Sequence, residues 1–232
     1  GKLHWLHTAS TTTLTFFGIH ERRGTEAMDH FNILPNFCGR LIHDFWKPYL
    51  SYNCKHGLCN AHHLRELTFL FEQQDQAWAK IMLNLLLDMN DFVSKQSEQL
   101  TAKQKQPWIK KYRDLIAEGW KCNPLSDPPL KKKKRGRPKK TKAQNLLVRL
   151  GEYESSVLAF LYDINVPFSN NLAEQDIRMI KVRLKISGCF RTIQGAKYFA
   201  RIRSYLSTAR KQNRNILDSI TEAISGHPFI PA

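Results

Sequence analysis

An α/β fold is what the sequence predicts, from three observations. Residues 2–9 and 12–19 are rich in β-branched and aromatic side chains, and Arg40-Leu41-Ile42-His43-Asp44 is a short strand-like run ending in a carboxylate. Long stripes of helical period follow, from about His62 to Trp120 and from Asn145 to Phe160. A basic stretch, Val166 to Ile216, then reads as two further helices.

A chain of 232 residues with 42% hydrophobic and 11% aromatic residues has the composition of a folded protein. It suits one domain with an insertion, or two small ones. The formal net charge is +16, and nine of the cations sit in residues 131–142, which contain no acid. Taking nine from +16 leaves +7, so the rest of the chain is basic as well. That balance points to nucleic acid as the partner. A membrane is a poor alternative, because the longest apolar stretch, Ile81 to Leu87, is short and interrupted by Asn84. No signal peptide opens the chain, and Gly1 in place of Met suggests truncation or a broken reading frame. The cysteines, Cys38, Cys54, Cys59, Cys122 and Cys189, are an odd scattered set, which fits reduced thiols in a cytosol.

Taken in order, the first two strands pair across Ser10-Thr11. A helix is expected from Thr25 to Leu34, with Ala27, Met28, Phe31 and Leu34 on one face and Pro35 stopping it. The Arg40–Asp44 strand is expected to be buried. Asp44 has two readings: a working carboxylate at a strand end, or the N-cap of a helix starting at Phe45-Trp46.

Between Cys54 and His63 lie two cysteines and three histidines, which invite a zinc reading, but no second ligand pair follows. The helices beyond carry Leu64, Leu67 and Phe71, then Trp78, Ile81, Met82, Leu85, Leu86, Met89 and Phe92, as core stripes. Pro107 is expected to break the pattern before a shorter helix with Trp108, Tyr112, Leu115 and Ile116. Pro124 to Lys142 is a linker by composition, and its centre, Lys134 to Lys140, resembles an AT-hook. Phosphate contact by this tract and a merely solvated charge run both fit. Asn145 to Phe160 resumes as a helix with Leu146, Leu147, Leu150, Tyr153, Val157 and Phe160 inward.

From Asn170 or Asn171 a helix should bury Ala173, Ile177, Ile180 and Leu184. A second face carries Glu174, Arg178, Lys181 and Lys185, a carboxylate leading three cations. Structural explanations exist for each part: Asn171-x-x-Glu174 fits a capping box, and Glu174 with Arg178 is an ordinary i,i+4 pair. Between Val166 and Ile216, however, eleven Lys/Arg stand against two acids. A carboxylate in so basic a segment suggests a metal held beside phosphates. Beyond it, Gly188 and Gly195 punctuate a turn or short strand. A last helix, 196–211, is expected to bury Phe199, Ile202, Leu206 and Ala209 and to expose Lys197, Arg201, Ser204, Thr208 and Lys211.

The run VPFSNNLAEQDIRMIKVRLKISGCFRTIQGAKYFARIRSYLSTARKQNRNILDSI, preceded in order by WLHTAS, RRGTEAM, LPNFCGRLIHDFWKPY and LCNAHHLREL, resembles the insertion sequence 66 family of bacterial transposases over nearly the whole chain. The resemblance implies a DDE-type enzyme with an RNase H-like catalytic core and a large helical insertion. Residues 1–58 would be the first part of that core, 59–165 the insertion with its basic linker 124–142, and 166–232 the closing helices. Glu174 falls on the family's glutamate and Asp44 on its second aspartate, while the first aspartate belongs upstream of the WLH strand. Together they imply catalytic ligands for two Mg²⁺ or Mn²⁺ ions, used to cleave DNA and transfer strands. Cys59-x-x-His62 resembles a C-x-x-H element that positions the site wall. Arg178, Lys181 and Lys185, with Arg201, Arg203, Arg135, Arg137 and Lys139, would contact DNA. The implied partners are transposon ends and target DNA, a second copy of the chain and helper proteins, in the bacterial cytoplasm near the nucleoid. With the first aspartate absent, residues 1–232 alone are expected to bind DNA without useful cleavage. A remnant that only binds DNA, or a nuclease on the same fold, are the alternatives.

Overall fold

The computed structural model describes residues 2–125 and 139–231. The strands are β1 (Trp5–Ser10), β2 (Thr15–His20), β3 (Arg40–His43) and β4 (Lys55–Leu58). The helices are α1 (Thr25–His30), α2 (Asn60–Gln74), α3 (Ala77–Ser94), α4 (Ala102–Cys122) and α5 (Lys142–Glu152). They continue with α6 (Glu154–Val157), α7 (Ala159–Tyr162), α8 (Asn171–Ser187), α9 (Ile193–Lys211) and α10 (Ile216–Ile224). The chain is thus mixed α/β, with small sheets. It divides into two compact units: Gly1–Cys38 with Lys47–Asn53 and Asn170–Ala232, and Gly39–Trp46 with Cys54–Ser169.

In the first unit, β1 and β2 form an antiparallel hairpin with Ser10 opposite Thr15. The turn is Thr11–Leu14, later than the Ser10-Thr11 expected. Thr11 closes it by accepting at Oγ1 from the N–H groups of Thr13 (3.2 Å) and Leu14 (2.9 Å). Helix α1 is shorter than its apolar spacing predicts. Asn32, at φ 53°, turns the chain left-handed, and a 3₁₀ turn at Leu34–Asn36 carries Pro35. Helices α8 and α9 pack on β1 and β2, where Phe17, Ile180 and Ala200 form a small buried cluster. Gly18 lets α1 close down on the hairpin: a Cβ there would stand 2.5 Å from the Phe31 ring.

In the second unit, β3 and β4 pair in parallel, with Arg40 opposite Lys55 and His43 opposite Leu58. Helices α2 to α7 build the larger core, in which Trp78, Tyr112, Phe160, Met82, Leu146 and Leu147 are fully buried. Full burial of each large side chain is worth roughly 1.5–3 kcal/mol. Tyr112 donates its hydroxyl to the Leu150 carbonyl (2.8 Å), tying α4 to α5. Gly119 permits the close approach, since a Cβ there would meet Leu147 at 2.6 Å and Trp78 at 3.1 Å. Thr101 with Gln104, and Thr141 with Gln144, close capping boxes at the starts of α4 and α5.

Several sequence expectations need correction. Pro107 lies inside α4 rather than ending it, because the capping box starts the helix upstream and Ile109 and Tyr112 anchor the turns beyond. Phe71 and Ile81 are exposed, at the flank of stripes carried by Leu67 and Leu70 and by Trp78, Met82, Leu86 and Met89. The single helix expected from Asn145 to Phe160 is three, α5 to α7, with breaks at Tyr153 and Leu158. At the first break Tyr153 packs edge-on against Phe45, ring centroids 4.8 Å apart. Gly195 does not punctuate but sits in the first turn of α9.

Candidate functional site

Each unit carries part of the predicted chemistry. In the second unit, β3 delivers His43 and Asp44. Only His43 of that strand is buried, so the strand is shallower than expected. Asp44 is exposed and accepts from the Trp46 N–H at Oδ1 (3.2 Å). No helix begins at Phe45-Trp46: Phe45 is left-handed at φ 68°, and a 3₁₀ turn follows only at Lys47–Ser51. The N-cap reading of Asp44 therefore fails. Its carboxylate closes a tight turn and keeps the other oxygen toward solvent.

His43 fixes that turn from inside. The Phe45 N–H donates to His43 Nδ1 (3.1 Å), so Nδ1 is the unprotonated nitrogen of a neutral ring. His43 Nε2 then carries the proton and faces His56 Nδ1 at 3.1 Å. Burial, and then the His56 charge, push the His43 pKa down to about 4 against the opposing pull of Asp44.

Strand β4 leads into α2, and Cys59 occupies the N-cap, its N–H bonded to the His43 carbonyl (2.9 Å). One helical turn brings a His62 ring nitrogen within 4.8 Å of the Cys59 sulfur. His62 Nδ1 is buried and has no hydrogen-bond partner among the described residues. Cys54 and His56 lie at the other end of β4, 4.0 Å apart, so the strand splits the cysteine–histidine cluster in two. Next to His62, the buried His63 donates from Nδ1 to Asn60 Oδ1 (2.9 Å), and Asn60 Nδ2 donates to the Val157 carbonyl (3.0 Å). Burial first, then Arg149 and His62, lower the His63 pKa to about 3.

In the first unit, α8 presents Glu174, Arg178, Lys181 and Lys185, and all four are exposed. The capping-box explanation of Glu174 does not hold. The N-cap is Asn170, with no side-chain capping bond, so Glu174 stands one position too far along. No ion pair joins Glu174 to Arg178 among the described residues. The buried side of α8 is Ile180, flanked by half-buried Ala173 and Ile177, whereas Leu184 is exposed.

Sequence reasoning missed Asp176. It accepts from Ser10 Oγ (2.6 Å), Thr15 Oγ1 (3.0 Å) and Lys211 Nζ (2.6 Å), joining α8, both strands and α9. Burial alone would raise its pKa. The hydrogen bonds from Lys211, Ser10 and Thr15, with the Lys211 charge, outweigh that and hold the carboxyl below the usual aspartate value. Lys211 also donates to the carbonyls of Thr11 (2.8 Å) and Leu14 (3.2 Å).

The exposed stripe expected on α9 is likewise corrected. Thr208 Oγ1 accepts from the Thr15 N–H (3.0 Å) and donates to the Thr15 carbonyl (3.2 Å). One turn earlier, Ser204 Oγ accepts from the Phe17 N–H (2.8 Å). These hydroxyls cap the outer edge of β2. The buried face of α9 is therefore Ala196, Ala200, Thr208 and Ala209, and Ile202 is exposed. Lys197 and Arg201 face solvent and Arg203 is half-buried. Of the basic tract, Lys139 is exposed, while Arg135 and Arg137 lie outside the described residues. Where the chain enters and leaves that tract, Gln144 Nε2 donates to the Pro124 carbonyl (2.9 Å), so its two described ends meet.

No helix among the described residues is long and apolar enough to cross a membrane. Comparisons with curated proteins and with solved structures gave no match. The family model described as Transposase IS66 family matches residues 1–198. The motifs from the WLH strand to the Glu174 helix lie within that span, and the chain belongs to the IS66 family of transposases.

Proposed function

We propose that this chain carries the phosphoryl-transfer part of a transposase on an RNase H-like core, with Asp44 and Glu174 as carboxylate ligands to divalent metal. The observation that carries the reading is the α8 face, where Glu174 is exposed, unused by any cap or ion pair among the described residues, and followed by three exposed cations. Asp44 fits the same role, with one oxygen on the Trp46 N–H and the other uncommitted. Both are hard oxygen donors, the set that Mg²⁺ or Mn²⁺ prefers. A pair of such ions, when bound, would activate a water or 3′-hydroxyl and stabilise the leaving oxygen of a phosphodiester.

The chain's own residues would hold the DNA in place for that chemistry. Arg178, Lys181 and Lys185 contact successive phosphates along the strand, with Lys139, Arg201 and Arg203 contributing outside it. Cys59 and His62, fixed at the N-terminus of α2, shape the wall of the site. Transposon ends and target DNA are the substrates, handled by more than one copy of the chain with helper proteins, in the bacterial cytoplasm at the nucleoid.

The test pairs Glu174→Gln with DNA binding. In a form of the protein that carries all three of the family's acidic residues, metal-dependent nicking and joining of DNA should fall by roughly a thousandfold or more, about 4 kcal/mol of transition-state stabilisation. Duplex affinity should stay within about twofold, and the variant should bind Mn²⁺ more weakly by paramagnetic resonance. A form of the protein that carries all three of the family's acidic residues, binds DNA and never nicks it with either metal would mark a DNA-binding protein without catalysis. Nicking without joining to a 3′-hydroxyl would mark a nuclease.

A further inference from the structure

The first unit contains an open cleft of about 500 Å³ between β2, α1 and α9, with no α8 residue in its lining among the described residues. Its walls include Phe16 and Phe31 on one side and Tyr198 on the other, with Lys197 and Arg201 at the rim. No Asp or Glu lines it among the described residues.

The aromatic wall is braced by ring contacts. Phe16 meets Phe31 edge-on, centroids 5.3 Å apart, and His7 and His30 pack on the same ring at 5.4 and 5.3 Å. Gly18 leaves the space in which that ring lies against the strand. The opposite wall is open: Tyr198 is 59% exposed, more than any other Phe, Trp or Tyr among the described residues. An exposed ring beside a braced one, with cations one helical turn apart at the rim, offers a stacking surface and a phosphate contact together.

From this we infer that the cavity receives an unpaired nucleotide of a DNA strand, its base stacked against Tyr198 and Phe31 and its phosphate held by Lys197 and Arg201. The size is within the range of ligand cavities, and the absence of acids favours an anion. A base inside a duplex is stacked on its neighbours and unavailable, so the occupant comes from single-stranded DNA such as a strand end. The inference rests on the reading of the chain as a protein that acts on DNA.

The test uses the full chain, a fluorescein-labelled single strand and a duplex of the same length, read by anisotropy. Tyr198→Ala should weaken single-strand binding roughly tenfold, the scale of one lost base–aromatic stack, and leave duplex binding within about twofold. Tyr198→Phe should restore single-strand affinity, since stacking needs the ring and not the hydroxyl. An unchanged single-strand affinity in Tyr198→Ala would overturn the proposal, as would an equal loss on duplex. Competition by free thymidine monophosphate at the same concentration as the strand would show a mononucleotide site and overturn the strand assignment. A wild-type chain that binds neither DNA would instead overturn the transposase reading on which the pocket rests.

Discussion

The two units solve the stability problem in different ways. The second buries large apolar side chains from six helices around Trp78 and Leu147. The first has a small apolar cluster of Phe17, Ile180 and Ala200, and joins its layers by hydroxyls and one ion pair instead. It also exposes much apolar surface, including Met179, Ile186, Tyr198 and Ile202. A unit held by polar latches keeps its helix faces available for a partner, whereas a unit held by apolar stripes must turn them inward. The predicted DNA-contacting residues of α8 and α9 accordingly lie in the first unit.

The comparison breaks most readily at Trp78. Trp78→Ala should cost about 3–5 kcal/mol, measured by urea unfolding, because it empties the centre of the larger core. A loss below about 1 kcal/mol would mean that the second unit does not depend on that core. The first unit is tested at its ion pair, whose side chains are only 12% and 15% exposed. Asp176→Asn alone should cost about 3 kcal/mol by leaving Lys211 uncompensated. The double variant Asp176→Asn/Lys211→Met should cost less than the sum of the single changes, by about 1–3 kcal/mol in a double-mutant cycle. Simple additivity would show that the latch is not a latch.

A smaller effect separates the units by pH. His63 is a base held neutral by burial, with its pKa lowered from 6.5 to about 3. Its contribution is complete above 6.5 and is lost as pH falls toward the folded value, because the unfolded chain takes up the proton first. Acidification from pH 7 to pH 5 should therefore narrow the stability gap between wild type and His63→Gln by about 2 kcal/mol. Asp176 behaves differently. Its depressed carboxyl contributes fully throughout that window and fails only as pH drops below the ordinary aspartate range. A gap that stays constant between pH 7 and pH 5 would remove His63 from the account.

Much of this was legible in the sequence. The start of α8 followed from Pro167 and the two asparagines, and the exposure of Glu174, Arg178, Lys181 and Lys185 from the apolar line beside them. The strand pair, the end of β3 at His43-Asp44 and most of the core of the second unit were also readable, because large apolar residues at period 3.6 or 2 bury predictably. The α9 face was legible only in part, with Ala209 buried and Lys197 and Arg201 exposed as expected. Periodicity favoured Ile202 and Leu206, but a helix lying against a strand edge needs small residues and hydroxyls, so Ala196, Ala200, Ser204 and Thr208 turned inward. Asp176 was invisible for a related reason: its partners Ser10, Thr15 and Lys211 are scattered across 200 residues and meet only in the fold. Tertiary hydrogen bonds leave no period to read.

The hydroxyls of α9 have a consequence for how the hairpin meets other chains. With Thr15 and Phe17 already bonded to Thr208 and Ser204, β2 offers an incoming strand no free ladder at those positions. Edge-to-edge stacking of hairpins through that part of β2, the route by which exposed strands aggregate, is therefore blocked. A serine and a threonine on α9 thus give this edge the protection that other edge strands take from charged residues or proline.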